Sequence, residues 1–420
     1  MWVREWIAKR EEEGVYAKLL KELEYQDVSS YENFIRMTHQ DFQHLLERIA
    51  PRITKQDTHL RKSISPSERL TLTLRFLATG DSYQSLSYLF RIPPTTISRI
   101  VPEVCDALYL ELKNDYLKIS CTSEEWENEA KRFDATWNFP NCIGAIDGKH
   151  VVMKAPEDSG SLYYNYKGTH SIVLMALVNA DYKFLYIEVG CNGRVSDGGV
   201  YANCSLSKCL ENKSLNIPEA KPLRGQSVPV PYVIVADDAF PLKTYIMKPF
   251  PFRDQPVENR VFNYRLSRAR RVVENALGLL SMRFRFLRKP VELCPQKVMK
   301  LVQAACVLHN YLIEKESTRY VSEGTVDMEE NGRLIEGCWR DDPLPQNSFY
   351  SLQHTGARNP TCTAKQVREN FRTYFMSRAG ELPTVKRFFS MRNIFYLFRI
   401  LDQKCGATTK PCFFNKFMIH

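Results

Sequence analysis

The chain has 420 residues, of which 44% are hydrophobic and 25% charged, and a formal net charge of +10. These proportions exclude a low-complexity or fibrous protein and allow two domains with a sizeable core. The positive balance favours an anionic partner, nucleic acid first and a membrane surface second.

Three further classes lose support. The 12 cysteines include no CxxC pair, which argues against a zinc finger. The opening segment, MWVREWIAKREEEG, is charged throughout and has no apolar signal core, so the cysteines are expected to be free thiols in a reducing compartment. The apolar run IFYLFRIL (394–401) is interrupted by Arg399 and falls far short of the ~20 residues of a spanning helix. A soluble, intracellular protein is expected.

Taken in chain order, residues 1–60 read as helical, with apolar and charged residues mixed at helical spacing. Residues 61–135 read as a second helical unit. Ser65-Pro66 opens a helix that Gly80 closes. Within 82–113 a short helix, a proline turn and a helix opened by Thr95 or Thr96 have helix-turn-helix spacing, with Thr95, Thr96 and Arg99 as candidate DNA contacts. Any small helical bundle makes such turns, so the packing alternative stays open.

From about residue 140 the pattern changes to strands: CIGAIDGKHVVMK, HSIVLMALVNA, KFLYIEVGC and PYVIVADDAF. A strongly helical segment follows at 264–287. Strands followed by a long helix predict a mixed α/β domain over 140–312. Residues 207–230 read as an exposed loop, 313–362 as a polar linker expected to be disordered, and 363–385 as a C-terminal helix. Residues 386–420 form an atypical tail.

Four carboxylates stand out by position. Asp147 follows an apolar strand, Asp197 follows the third strand, Asp237 ends the run VIVAD, and Glu274 is the one acid between Arg260 and Lys289, among nine Arg and Lys. Strand-end acids and a helical acid can meet at one edge of a sheet. Hard cations take oxygen ligands, and two ions about 4 Å apart can hold the attacking and leaving oxygens of a phosphodiester. Arg265, Arg268, Arg270 and Arg271 would then hold the phosphate backbone. Each acid also has a structural alternative. Asp147 and Asp197 precede glycines in turn patterns, Asp238 beside Asp237 can cap a helix, and Glu274 can pair with Arg270 or Arg271 at helical spacing.

The strings LRFLATGDSYQSLSYLFRI, IGAIDGKHV, YNYKGTHSIVLMALVNADYKF, GRVSDGGVY, VADDAFPL, NYRLSRARRVVENALGLL and CVLHNYL resemble Harbinger-type (PIF/Harbinger) DDE transposases and their domesticated nuclease descendants. The resemblance implies an RNase H-like catalytic domain with a DDE metal site; with the residue reading, the expected fold is an RNase H-like mixed-sheet catalytic domain preceded by an all-helical N-terminal region with a helix-turn-helix. It implies Asp147, Asp237 and Glu274 as catalytic residues, and these with Asp197 as ligands of a divalent cation, Mg²⁺ or Mn²⁺. The implied reaction is hydrolysis and strand transfer at DNA ends with a short A/T-rich target, in the nucleus, beside a Myb-like DNA-binding partner. Two departures are local: Ala236 stands where glycine is usual and Leu277 where an aromatic is common. The tail after residue 385 has no counterpart in the family pattern.

Three readings compete: an active metal-dependent DNA endonuclease, a domesticated DNA-binding or adaptor protein without chemistry, and a structural protein whose acids serve turns and ion pairs.

Overall fold

The computed structural model describes residues 4–382 apart from 60–61, 196, 254, 331–332, 342–347 and 353–358. The apolar runs read as strands assemble into one six-stranded sheet. Its strands are β1 (Cys142–Met153), β2 (His170–Val178), β3 (Phe184–Asn192), β4 (Val233–Val235), β5 (Ile246–Met247) and β6 (Phe349–Ser351). The main order is β3-β2-β1-β4-β5, and β6 pairs with β1. β1, β2 and β3 form an antiparallel meander, while β4 lies parallel to β1 and β5 parallel to β4. This is the RNase H-like arrangement expected from the motifs.

β2 explains why the runs look continuously apolar. Successive strand residues face opposite sides of a sheet, and here both sides are covered. Ile172, Leu174, Ala176 and Val178 enter one core cluster, and Val173, Met175 and Leu177 the other.

The helices that matter for the site are α1 (His39–Ile53), α2 (Pro66–Thr79), α3 (Tyr83–Phe90), α4 (Pro94–Tyr116), α5 (Ser123–Trp137), α6 (Val257–Arg283), α7 (Pro295–Lys315) and α8 (Cys362–Met376). Their ends follow local chemistry. Ser65 accepts from the Glu68 amide and Pro66 fills the first turn of α2, which stops at Gly80 with φ of 64°. Gly80 is required twice over, because a Cβ there would fall 2.8 Å from the Phe286 backbone. α5 opens with a reciprocal capping box between Thr122 and Glu125.

α3 and α4 are joined through residues 91–93, and α4 opens at Pro94 rather than at Thr95 or Thr96. α4 is not free along its length. Ile97, Val101, Val104, Cys105, Leu108 and Leu112 are buried, and the helix packs against α7.

The expectation of a disordered linker over 313–362 needs correction. Short strands at Met328–Glu330 and Arg333–Ile335 form a hairpin, Phe349–Ser351 joins the central sheet as β6, and Trp339 and Asp327 are buried. Paired polar groups account for this order in so polar a segment. Asn275 of α6 bonds the Asp327 amide and carbonyl and the Trp339 indole, and Arg340 pairs with Asp327. The C-terminal helix, expected over 363–385, ends at Met376; residues 383–385 and the 386–420 tail lie outside the described residues. None of the described helices is long and apolar enough to cross a membrane.

Candidate active site

Strand parity decides which way the acids point. On β1, Ala145, Val151 and Met153 belong to the core cluster that receives α6, and Asp147 shares their parity. On β4, Val233 and Val235 face that same cluster, and Asp237 lies two residues beyond Val235. Ala145 is register partner of Val235 across the parallel pair. Asp147 and Asp237 are each two residues further on, Asp147 midway along β1 and Asp237 just past the end of β4, so they lie toward the same face of the sheet. α6, which carries Glu274, covers this face with Leu266, Ala269, Val273 and Ala276. The sheet and α6 thus put three of the four sequence candidates on one face, within the field of Arg270.

Asp147 and Asp237 are 3% and 7% exposed. Asp147 Oδ1 accepts from the Gly148 amide at 2.9 Å, and its Oδ2 is 3.0 Å from Lys149 Nζ. Asp237 Oδ1 accepts from the Ala239 amide at 3.0 Å. Glu274 lies 3.5 Å from Arg270 Nη2 and 3.8 Å from Arg340 Nη2. The i−4 ion pair weighed from the sequence is therefore present.

Arg270 interacts with more than Glu274. Burial opposes its charge, but the negative charges of Asp237, Glu274, Asp147 and Asp238 outweigh burial and hold its pKa above the usual guanidinium value. The guanidinium is thus paired with Glu274 and lies within the field of the neighbouring aspartates. Lys248 feels the same field less strongly: burial lowers its pKa, and Asp238 and Asp237 oppose the shift.

Asp197 begins the helix Asp197–Asn203 after β3, and its side chain lies outside the described residues. Arg265 is corrected as a candidate phosphate contact. It is 3% exposed, donates to the carbonyls of Asn138 and Gly380, and stacks on the Phe375 ring at 4.4 Å. Arg268 and Arg271 turn toward Glu329 of the hairpin, at 3.9 and 3.5 Å, rather than presenting an open basic ridge. At the start of α4, Thr95 and Arg99 are exposed and Thr96 is half-buried.

The sequence reading missed Lys149 and Arg340. Lys149 was findable, because two residues along a strand put it on the same face as Asp147. Arg340 was not, since it reaches Glu274 from 66 positions away through a segment read as linker.

Three carboxylates, two of them on adjacent strand segments of one sheet face, are the donor type a hard divalent cation takes, and in that respect the residues fit such an ion. As the side chains stand, no three His, Cys, Asp or Glu among the described residues are grouped closely enough to hold one. Cationic side chains balance the acids instead.

Residues 146–310 match the family model described as DDE superfamily endonuclease. This segment is similar to DDE endonuclease domains. It runs from within β1 through most of α7, so it contains Asp147, Asp237 and Glu274. Relatives extend the likeness beyond it. The chain is 26% identical to "Protein ALP1-like" of Arabidopsis thaliana, over 69% of this chain and 72% of the relative. It is 25% identical to "Putative nuclease HARBI1" of Xenopus laevis, over 70% and 80%, and 24% identical to the protein of that name from Homo sapiens, over 68% and 78%. Together with the DDE match, these relatives support the Harbinger-type DDE family read from the motifs. No solved structure matches the chain.

Proposed function

We propose that the protein is a metal-dependent DNA endonuclease of Harbinger transposase type, hydrolysing phosphodiester bonds and joining strands at DNA ends. The observation that carries this reading is the register of β1 and β4. It supports a shared face for Asp147 and Asp237, the face that α6, the helix bearing Glu274, covers. Asp147, Asp237 and Glu274, with Asp197, would hold Mg²⁺ or Mn²⁺. Such ions supply an activated water and absorb the charge that develops on the phosphate. The chain's own groups prepare the site: the Gly148 and Ala239 amides fix one oxygen of each aspartate, and Lys149 orients the second oxygen of Asp147. The exposed start of α4, with Thr95, Thr96 and Arg99, would meet the DNA backbone. Work in the nucleus beside a Myb-like DNA-binding partner belongs to the same reading. So does the printed name of the HARBI1 relatives, which calls them nucleases.

A second reading has an observation of its own. Each acid of the site faces a cation, which is the arrangement an inactive, domesticated DNA-binding or adaptor protein would retain. A labelled duplex with Mn²⁺ separates the two. Under the first reading the native chain cuts, and Asp147→Asn lowers the rate by about a hundredfold or more, at least the cost of losing an outer-shell partner of a metal. Equal cutting by the variant, or DNA binding with no metal-stimulated cutting by the native chain, would favour the second.

A further inference from the structure

Arg270 sits one helical turn before Glu274, on the face of α6 that meets the sheet. Its side chain is 17% exposed, 3.5 Å from Glu274, and its Nε is buried without a hydrogen-bond partner. A guanidinium carries five donors in a fixed fork, and a buried donor left unmade is costly. Arg270 is therefore held here by charge more than by a complete set of bonds. Lys149 and Arg340 each serve one acid of the trio from its flank, whereas Arg270 pairs with Glu274 and also lies in the field of Asp237 and Asp147. Without that charge, the three carboxylates would repel one another more strongly. With it, Glu274 is engaged by a group that a divalent cation must compete against.

We propose that Arg270 is the resident counter-ion of the acid cluster and that a divalent cation binds by displacing it. The inference rests on the endonuclease reading above, because it takes the three acids as the metal's ligands. It reassigns Arg270 from backbone contact to a positioning residue that sets the affinity of the metal site.

The test is Mn²⁺ binding to the full chain without DNA, followed by the electron paramagnetic resonance of free Mn²⁺ and by the melting temperature. Arg270→Gln should bind Mn²⁺ about tenfold more tightly than the native chain, the size of a partly screened charge contact. It should also melt lower without metal and gain more on adding it. Adding Asp147→Asn to that variant should abolish the gain. Arg270→Lys keeps a charge but not the fork, so it should bind with intermediate affinity, and it serves as the test should Arg270→Gln not fold. If the native chain binds Mn²⁺ and neither variant binds it more tightly, the inference is overturned and the nuclease reading survives. If no form binds Mn²⁺, both fall.

Discussion

Arg265 and Arg270 lie five positions apart on α6, yet one is anchored among backbone carbonyls and the other among carboxylates. Composition shows both as members of a basic stretch; only the helix phase and the neighbours supplied by distant segments separate them. His309, in the string CVLHNYL, shows the same gap. It is fully buried, with Nε2 2.9 Å from the Tyr182 carbonyl and Nδ1 2.9 Å from the Tyr320 hydroxyl. A carbonyl can only accept, so Nε2 carries the proton and Nδ1 accepts from Tyr320. The motif holds α7 to the sheet, and Asn310 beside it bonds both the amide and the carbonyl of Phe184. Burial pushes the His309 pKa down from 6.5 to about 4. A depressed folded pKa gives stability that is complete above 6.5 and is lost as pH falls toward 4, about 2–3 kcal/mol between pH 7 and 4.5. Urea unfolding at those two pH values should show this loss, and His309→Gln should shrink it by that amount. An undiminished loss in the variant would remove His309 as its source.

The strands were legible as elements because a sheet covered on both faces leaves unbroken apolar runs, and α6 was legible from its helical apolar spacing. The hairpin over 328–335 and strand β6 were not. They are short and polar, and what orders them is a set of partners on α6 far away in sequence. Gly278 marks that contact. It lies in the interior of α6, where alanine would favour the helix by up to about 1 kcal/mol. A Cβ there would fall 2.4 Å from the Trp339 ring, and overpacking of that kind costs about 1–3 kcal/mol. The clash is the larger effect. Gly278→Ala should lower unfolding stability by roughly 1–2 kcal/mol, with the Trp339 fluorescence environment altered. Unchanged or raised stability would show that the Trp339 segment does not pack on α6 as described.

Across the molecule, one core cluster runs from Val15 to Phe375 and joins the N-terminal helices, the sheet and α8. The helical region ahead of β1 shares this core with the sheet-bearing segment, through α4 packed on α7. The position of the three acids left ion-pair and turn roles open, and only the family resemblance of the surrounding strings singled them out as a catalytic set. Their placement needed the register of β1 against β4 and the parity of both strands, and their present balance of charge needed Arg270, Lys149 and Arg340. The endonuclease reading requires Asp147, Asp237 and Glu274 to form one metal centre. Hydroxyl radicals generated at bound Fe²⁺ by ascorbate and peroxide cut the polypeptide close to the ion. Fragments ending near residues 147, 237 and 274 are expected, all suppressed by excess Mg²⁺. Cuts near only one of the three, or elsewhere in the chain, would contradict that reading.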